Sequence, residues 1–169
     1  NVLSSDKDLL QLIDKTTSVW LMKKGLTEIE KMDEAALKEM WGLRPDQIPD
    51  LKGLMGDTSD NIPGLPGVGE KTALKLLEEY GSVEGVLENV DKLKGKLKQT
   101  VETYHEKATF SKWLATIKTD AEFDLDFNSA LYQPNIKTAN AFFIKYEMKS
   151  LIRELNSNNN HSSENIEFN

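Results

Sequence analysis

Apolar and polar positions change period several times along the chain, and each change marks an element. Val2-Leu3 reads as the end of a buried strand. Ser4-Ser5-Asp6 then supplies capping residues before Leu9, Leu10, Leu12 and Ile13. From Ser18 to Glu30, β-branched, aromatic and polar types alternate around Lys24-Gly25, the pattern of a hairpin. Asp33 caps a short helix with Leu37, Met40 and Trp41 on one face, and Gly42 stops it. A further helix starts near Pro45, is bent or delayed by Pro49, and runs to about Met55. After the punctuated stretch 56–69, helices are expected at Thr72–Tyr80, Ser82–Asn89 and Gly95–Ile117. The last of these carries Leu97, Val101, Tyr104, Ala108 and Ser111 at helical spacing. An extended piece at Phe123–Phe127 and a final helix from about Thr138 to Leu155 complete the pattern. Asn156–Asn169 is Asn/Ser-rich with little to bury and reads as a disordered tail or linker. There is no long internal repeat.

Composition narrows the chemistry. The 169 residues suit about one ordinary domain with a core. The chain has no cysteine, which excludes disulfides, cysteine nucleophiles and thiolate metal sites. Two histidines, His105 and His161, argue against a multi-histidine zinc site, so any metal would be a hard cation held by carboxylates. The net charge of −7 disfavours coating nucleic acid nonspecifically and leaves a local phosphate-binding surface open. No apolar run approaches the roughly 20 residues of a membrane helix. The chain starts at Asn1 without an initiator methionine or signal-peptide core, and its first strand has no preceding element to pair with. A piece of a longer protein is the expectation.

Two constellations carry candidate chemistry. In the stretch from Ile62 to Leu76, Gly67 and Gly69 sit at the apex of a tight turn that opens directly into a helix. Such glycines permit close backbone approach, and the free amides of the new helix suit a phosphate. Lys71 and Lys75 add charge, Ala73 is small where the helix crosses its partner, and Ile62, Leu65 and Leu76 form the core beneath. The plainer reading is an ordinary Gly-rich connection. The second constellation is two pairs of aspartates. Asp6 and Asp8 lie just past the strand's carboxyl end, where open α/β sheets place their sites. Asp57 and Asp60 are three apart in a turn immediately before the hairpin. Oxygen clusters of this kind suit Mg²⁺ or Mn²⁺. Taken separately, Asp6 also reads as a helix cap, and Asp57 or Asp60 as turn formers.

Three segments in order are similar to the 5'-nuclease domain of bacterial DNA polymerase I, in the flap-endonuclease superfamily. They are Ser5-Asp6-Lys7-Asp8-Leu9-Leu10-Gln11-Leu12, the run from Asp50 to Gly64 containing Gly56-Asp57-Thr58-Ser59-Asp60-Asn61, and Gly67-Val68-Gly69-Glu70-Lys71-Thr72-Ala73. Leu114–Asp120 and Tyr146–Leu155 resemble the rest of that domain, so the likeness spans about residues 2–155. Ser5 departs from the usual Gly or Ala but stays small.

The resemblance implies a mainly α fold with a small remnant of an α/β sheet, a helix-hairpin-helix (helix-three-turn-helix) subdomain of a PIN-like/flap-endonuclease fold. It implies a nuclease-core remnant at 1–32, a helical DNA-binding subdomain at 33–155 with the hairpin at 62–81, and the tail at 156–169. The implied activity is that of a structure-specific 5'→3' exonuclease and 5'-flap endonuclease in primer removal and DNA repair. It hydrolyses phosphodiesters with two divalent ions, Mg²⁺ or Mn²⁺. Asp6, Asp8, Asp57 and Asp60 fall on family metal-site and catalytic aspartates, and Gly67, Val68, Gly69, Lys71, Thr72 and Lys75 on DNA-binding positions. The carbonyls of Leu65 and Val68 fall where a K⁺ ion is held. The implied partner is duplex or flap DNA without sequence preference, bound by a monomer in the bacterial cytoplasm, at the nucleoid, and the resemblance allows continuity with polymerase domains in a parent chain. No membrane partner is implied.

The family's upstream aspartates and basic arch do not occur in this sequence, so the chain is expected to bind branched DNA weakly and cleave nothing alone, with its first strand partly disordered. Asp57 and Asp60 are expected to act through metal rather than through folding, so that Asn at either position leaves stability unchanged or slightly raised. A non-catalytic helix-hairpin-helix module is the alternative. An acidic protein-interaction domain is a third reading, with Lys92, Lys94, Lys96 and Lys98 as a solvated face. His105, Trp20, Trp41 and Trp113 read as ordinary helix-surface and core residues.

Overall fold

A computed structural model describes residues 1–24, 28–131 and 135–161. Strand β1 (Val2–Ser4) runs parallel to β2 (Val19–Lys24), with Val2 opposite Val19 and Ser4 opposite Leu21. Strand β3 (Glu28–Met32) pairs antiparallel on the other side of β2, with Val19 opposite Met32. The alternation of β2 explains the register: Val19 and Leu21 are buried, while Trp20 between them is exposed. The expectation that the first strand lacks neighbours is therefore corrected. Its partner is the expected hairpin itself, and the Val2 amide adds a bond to the Ser18 carbonyl at 2.9 Å. Gly25, the expected turn residue, lies outside the described residues.

Helix α1 (Glu34–Trp41) starts where the Asp33 side chain accepts from the Ala36 amide at 3.0 Å, and stops at Gly42. A 3₁₀ turn, Pro45–Gln47, leads into α2 (Ile48–Met55). Helix α2 begins late, at Ile48, as expected, and Pro49 sits in its first turn, where no intrahelical amide bond is lost. Every α2 residue from Ile48 to Leu54 is buried, so this short helix is the axis of the unit. Around it stand α3 (Glu70–Tyr80), α4 (Val83–Glu88) and α5 (Gly95–Ala115). The expected single helix to Ile117 ends two residues early and is broken at Tyr104, whose backbone leaves the helical region. One apolar core runs from Leu10, Val19 and Met32 through Leu37, Leu54 and Leu77 to Ala108.

That continuity makes Asn1–Ala121 one compact unit, and a second begins at Glu122. The compact units thus divide after Ala121. In the second unit, Phe123–Asp126 pair in no strand, with Asp126 in an extended conformation, and Phe127–Ala130 make a 3₁₀ turn. The expected final helix is two, α6 (Ile136–Lys145) and α7 (Lys149–His161), separated where Glu147 takes a left-handed φ of 53°. Helix α7 continues through 156–161, where a disordered tail was expected; 162–169 lie outside the described residues. The mainly helical class with a small sheet is as the sequence implies.

Candidate metal centre and nucleic-acid interface

The loop after α2 is closed on itself before any tertiary contact is considered. The Asp57 amide bonds to the Ile62 carbonyl at 2.9 Å, and the Ile62 amide to the Asp57 carbonyl at 2.8 Å. Within it, Asp57 Oδ1 accepts from the Ser59 amide and hydroxyl at 2.9 and 2.5 Å, an Asx turn that fixes the carboxylate. The loop is anchored below by the Leu65 amide on the Leu54 carbonyl at 2.8 Å and the Gly64 amide on the buried Ser111 hydroxyl at 3.0 Å.

The 3₁₀ turn Lys7–Leu12 that follows β1 brings Asp8 to this loop. Carboxylate oxygens of Asp8, Asp57 and Asp60 all lie within 4.8 Å of one another. Among them stands Lys52, from the buried axis of α2: its ammonium contacts Asp8, lies 2.6 Å from Asp57 and 3.6 Å from Asp60. The ion pair with Lys52, joined by the Ser59 bonds, holds the Asp57 carboxyl down at about 2. The ion pair and the Asx turn tie Asp57 into the fold, which argues against the expectation that Asn there leaves stability unchanged or slightly raised. Asp6 stands apart. Its side chain caps the 3₁₀ turn through the Asp8 amide at 2.9 Å, and its carboxylate is not one of the clustered three.

The donor set fits a hard cation. It is all carboxylate oxygen, it already surrounds one cationic group, and three carboxylates against one ammonium leave two negative charges uncompensated.

The hairpin begins beside this cluster. A cavity of about 710 Å³ is lined by Asp6, Lys7, Trp41, Lys52, Asp57 and Asp60 together with Gly69 and Glu70. Gly67 has a φ of 77°, the left-handed conformation that the turn requires. At Gly69 a Cβ would meet nothing within 4 Å and φ is an ordinary −99°, so nothing inside the chain calls for glycine there. Gly69 caps α3 without any side-chain acceptor, and Lys71 and Lys75 are exposed.

Ile62, Leu65, Leu76 and Ala73 are buried beneath the hairpin, as expected. Val68 and Thr72 spend their backbone amides inside the hairpin. The Val68 side chain is buried and its amide donates to the Leu65 carbonyl at 3.1 Å; the Thr72 amide donates to the Gly69 carbonyl at 3.0 Å. The Leu65 carbonyl thus carries one internal bond already. Of the lysine run, Lys98 is paired with Asp91 at 2.7 Å, while Lys92, Lys94 and Lys96 are exposed.

Sequence reasoning missed Lys52, and a second buried group, Asp50, which accepts from the Val83 amide and lies 2.7 Å from Lys112. The available signal was two charged residues inside an otherwise apolar run of eight.

Comparison with solved structures sets the class. The chain matches a T5 5'-exonuclease with bound divalent zinc ions at a TM-score of 0.58 and 25% identity, covering 67% of this chain and 41% of that one. The fold is that of the flap-endonuclease class. A family model described as "5'-3' exonuclease, C-terminal SAM fold" matches residues 43–140, and the chain belongs to that family of nucleases. It is 52% identical to DNA polymerase I of Bacillus caldotenax over 78% of this chain, and 37% identical to a 5'-3' exonuclease of Mycoplasma pneumoniae over 91%. It spans only 15% of the former's length and 54% of the latter's. The family resemblance seen in the sequence is borne out.

Proposed function

We propose that this chain is the duplex-gripping part of a metal-dependent 5'→3' exonuclease and 5'-flap endonuclease acting in primer removal and DNA repair, within a DNA polymerase I-like protein. The observation that carries the reading is that one cavity is lined both by Asp57 and Asp60 of the carboxylate cluster and by Gly69 and Glu70 at the start of α3. A duplex whose backbone rests on Gly67–Lys71 would bring neighbouring phosphates toward Asp57 and Asp60.

Asp8, Asp57 and Asp60 would hold a divalent ion, Mg²⁺ or Mn²⁺, with Asp6 in reserve on the same cavity wall for a second. Such ions supply Lewis-acid polarisation of the phosphate and a more acidic bound water. The chain's own residues do the positioning. The Ser59 bonds fix the Asp57 carboxylate, and the Asp6 cap fixes the turn that carries Asp8. Gly69 lets a sugar-phosphate backbone approach α3, whose first-turn amides and dipole favour an anion. Lys71 and Lys75 neutralise adjoining phosphates. These contacts address the backbone and carry no base information, so binding is without sequence preference. The carbonyls of Leu65 and Val68 are the pair we assign to a K⁺ ion at the hairpin. The setting is a monomer on bacterial nucleoid DNA; among the described residues no helix is long and apolar enough to cross a membrane.

The test is a labelled 5'-flap substrate with Mg²⁺ or Mn²⁺, given to the longer protein with and without Asp57→Asn and Asp60→Asn, and to this chain alone. Metal-dependent release of the flap by the longer protein, abolished by either substitution, is expected. DNA binding without cleavage in every case would leave a non-catalytic binding module. Cleavage by this chain alone would show that further aspartates are dispensable.

A further inference from the structure

Lys52 is out of place by ordinary rules. It lies on a helix buried on all sides, its side chain is only 9% exposed, and its ammonium ends on the oxygens that the preceding reading gives to a metal ion. A lysine drawn into a core usually stretches its stem toward water. This one turns its head into three carboxylates instead.

We propose that Lys52 and the divalent ion compete for the same place: Lys52 is a built-in counter-cation among Asp8, Asp57 and Asp60, and it gives way when the ion binds. The inference rests on the reading of those three residues as metal ligands and adds a positioning residue that sets their affinity.

The geometry carries the competition. Oxygen atoms clustered within 4.8 Å offer room for one cation among them, and Mg²⁺ needs ligands at about 2.0–2.1 Å in near-octahedral order. Lys52 engages the carboxylates of all three residues, with Asp57 Oδ2 at 2.6 Å. An ammonium left in that position would repel a divalent ion across a few ångströms of poorly screened space. The stem has somewhere to go, since Lys52 lines the same 710 Å³ cavity. Its flexible four-carbon chain can turn there without moving α2, which a rigid guanidinium fork would not do as readily. The lysine also solves a folding problem. Without a cation, three carboxylates converging at the loop 57–62 and the turn after β1 would repel each other; Lys52 joins the two segments before metal arrives.

Two consequences separate this role from a merely structural one. In Lys52→Met the stem volume stays and the charge goes. Mn²⁺ should then bind about tenfold more tightly by calorimetric titration, because no internal cation must be displaced. The melting temperature in EDTA should fall, and saturating Mn²⁺ should restore most of the loss. A structural lysine would lower both melting temperatures alike and leave the dissociation constant unchanged. Lys52→Arg, which keeps the charge on a fork that gives way less readily, should bind Mn²⁺ no more tightly than the wild type.

If Lys52→Met does not fold, the wild-type chain still answers. The NMR signal of the Lys52 ε-methylene, assigned by its loss in Lys52→Arg, should shift saturably as Mg²⁺ is added, and should not shift in Asp57→Asn. Tighter Mn²⁺ binding in Lys52→Met, or that saturable shift, supports the inference. An unchanged or weaker Mn²⁺ affinity in a folded Lys52→Met, or a fixed methylene signal while Mg²⁺ binds, overturns it while leaving the metal site standing. No Mn²⁺ binding by either the wild type or Lys52→Met overturns both.

Discussion

Gly64 packs against Gly56 so closely that a Cβ at 64 would stand 2.2 Å from the Gly56 nitrogen and 2.6 Å from its Cα. Both glycines also hold left-handed φ values, 58° and 75°. The end of α2 and the entry to the hairpin are pressed together here, and the acidic loop between them is closed as a result. Gly64→Ala is therefore expected to cost about 3 kcal/mol or more, since backbone rather than a side-chain tip must move. Urea unfolding measures it. A loss below about 1 kcal/mol would show that the two segments can separate freely.

The two loop aspartates should part company in stability. Asp57 has its carboxyl lowered to about 2, so its contribution is present above the unfolded value near 3.8 and is lost as pH falls through about 2. At neutral pH that corresponds to about 2 kcal/mol. Asp57→Asn should lower the melting temperature in EDTA accordingly. Asp60, half exposed and 3.6 Å from Lys52, should leave it nearly unchanged as Asn. Equal melting temperatures for the two variants would remove Asp57 from the folded framework.

Lys112 links α5 to α2 and α4 through Asp50 at 2.7 Å and Glu84 at 2.6 Å. Burial opposes its charge, and the two carboxylates outweigh that, so its pKa is raised above 10.5. A raised lysine stabilises fully below its unfolded pKa and loses the contribution as pH climbs through the folded value. Lys112→Met should cost about 2 kcal/mol near neutrality, less than for a fully buried pair because the head is partly exposed. The gap from the wild type should narrow as pH climbs above about 10.5. Urea midpoints across that range test it; a gap that widens with pH contradicts the assignment.

Lys71→Ala should weaken binding to all duplexes alike. If Lys71 neutralises one phosphate, the slope of log affinity on log salt should become shallower by about 0.9. A tenfold preference among duplex sequences, or an unchanged slope, would move the contact away from the backbone.

Much of this was legible because local physics dominates. The hairpin's glycines, its small Ala73 and the apolar floor of Ile62, Leu65 and Leu76 sit close together in sequence and are buried as the spacing implies. The aspartates were visible as pairs, but not which of them converge. Asp6 spends its carboxylate on the Asp8 amide, a local competition that spacing does not rank. Lys52 was invisible for a different reason. Its partners come from a turn more than forty positions earlier and from a loop folded back by Gly56, and only tertiary structure brings them to one ammonium. The pairing of β1 with β2 was missed likewise, since a parallel partner across a short 3₁₀ turn leaves no hairpin signal.

The most direct measurement is to load the chain with Fe²⁺ in place of Mg²⁺, add ascorbate and peroxide, and map where the backbone is cut by the radicals released at the ion. Cuts confined to the neighbourhoods of Asp8 and of 57–60, competed away by Mg²⁺ and absent in Asp57→Asn/Asp60→Asn, are the expected result. Cuts elsewhere in the chain, or cuts at these segments that survive the double substitution, would contradict a metal centre built from Asp8, Asp57 and Asp60.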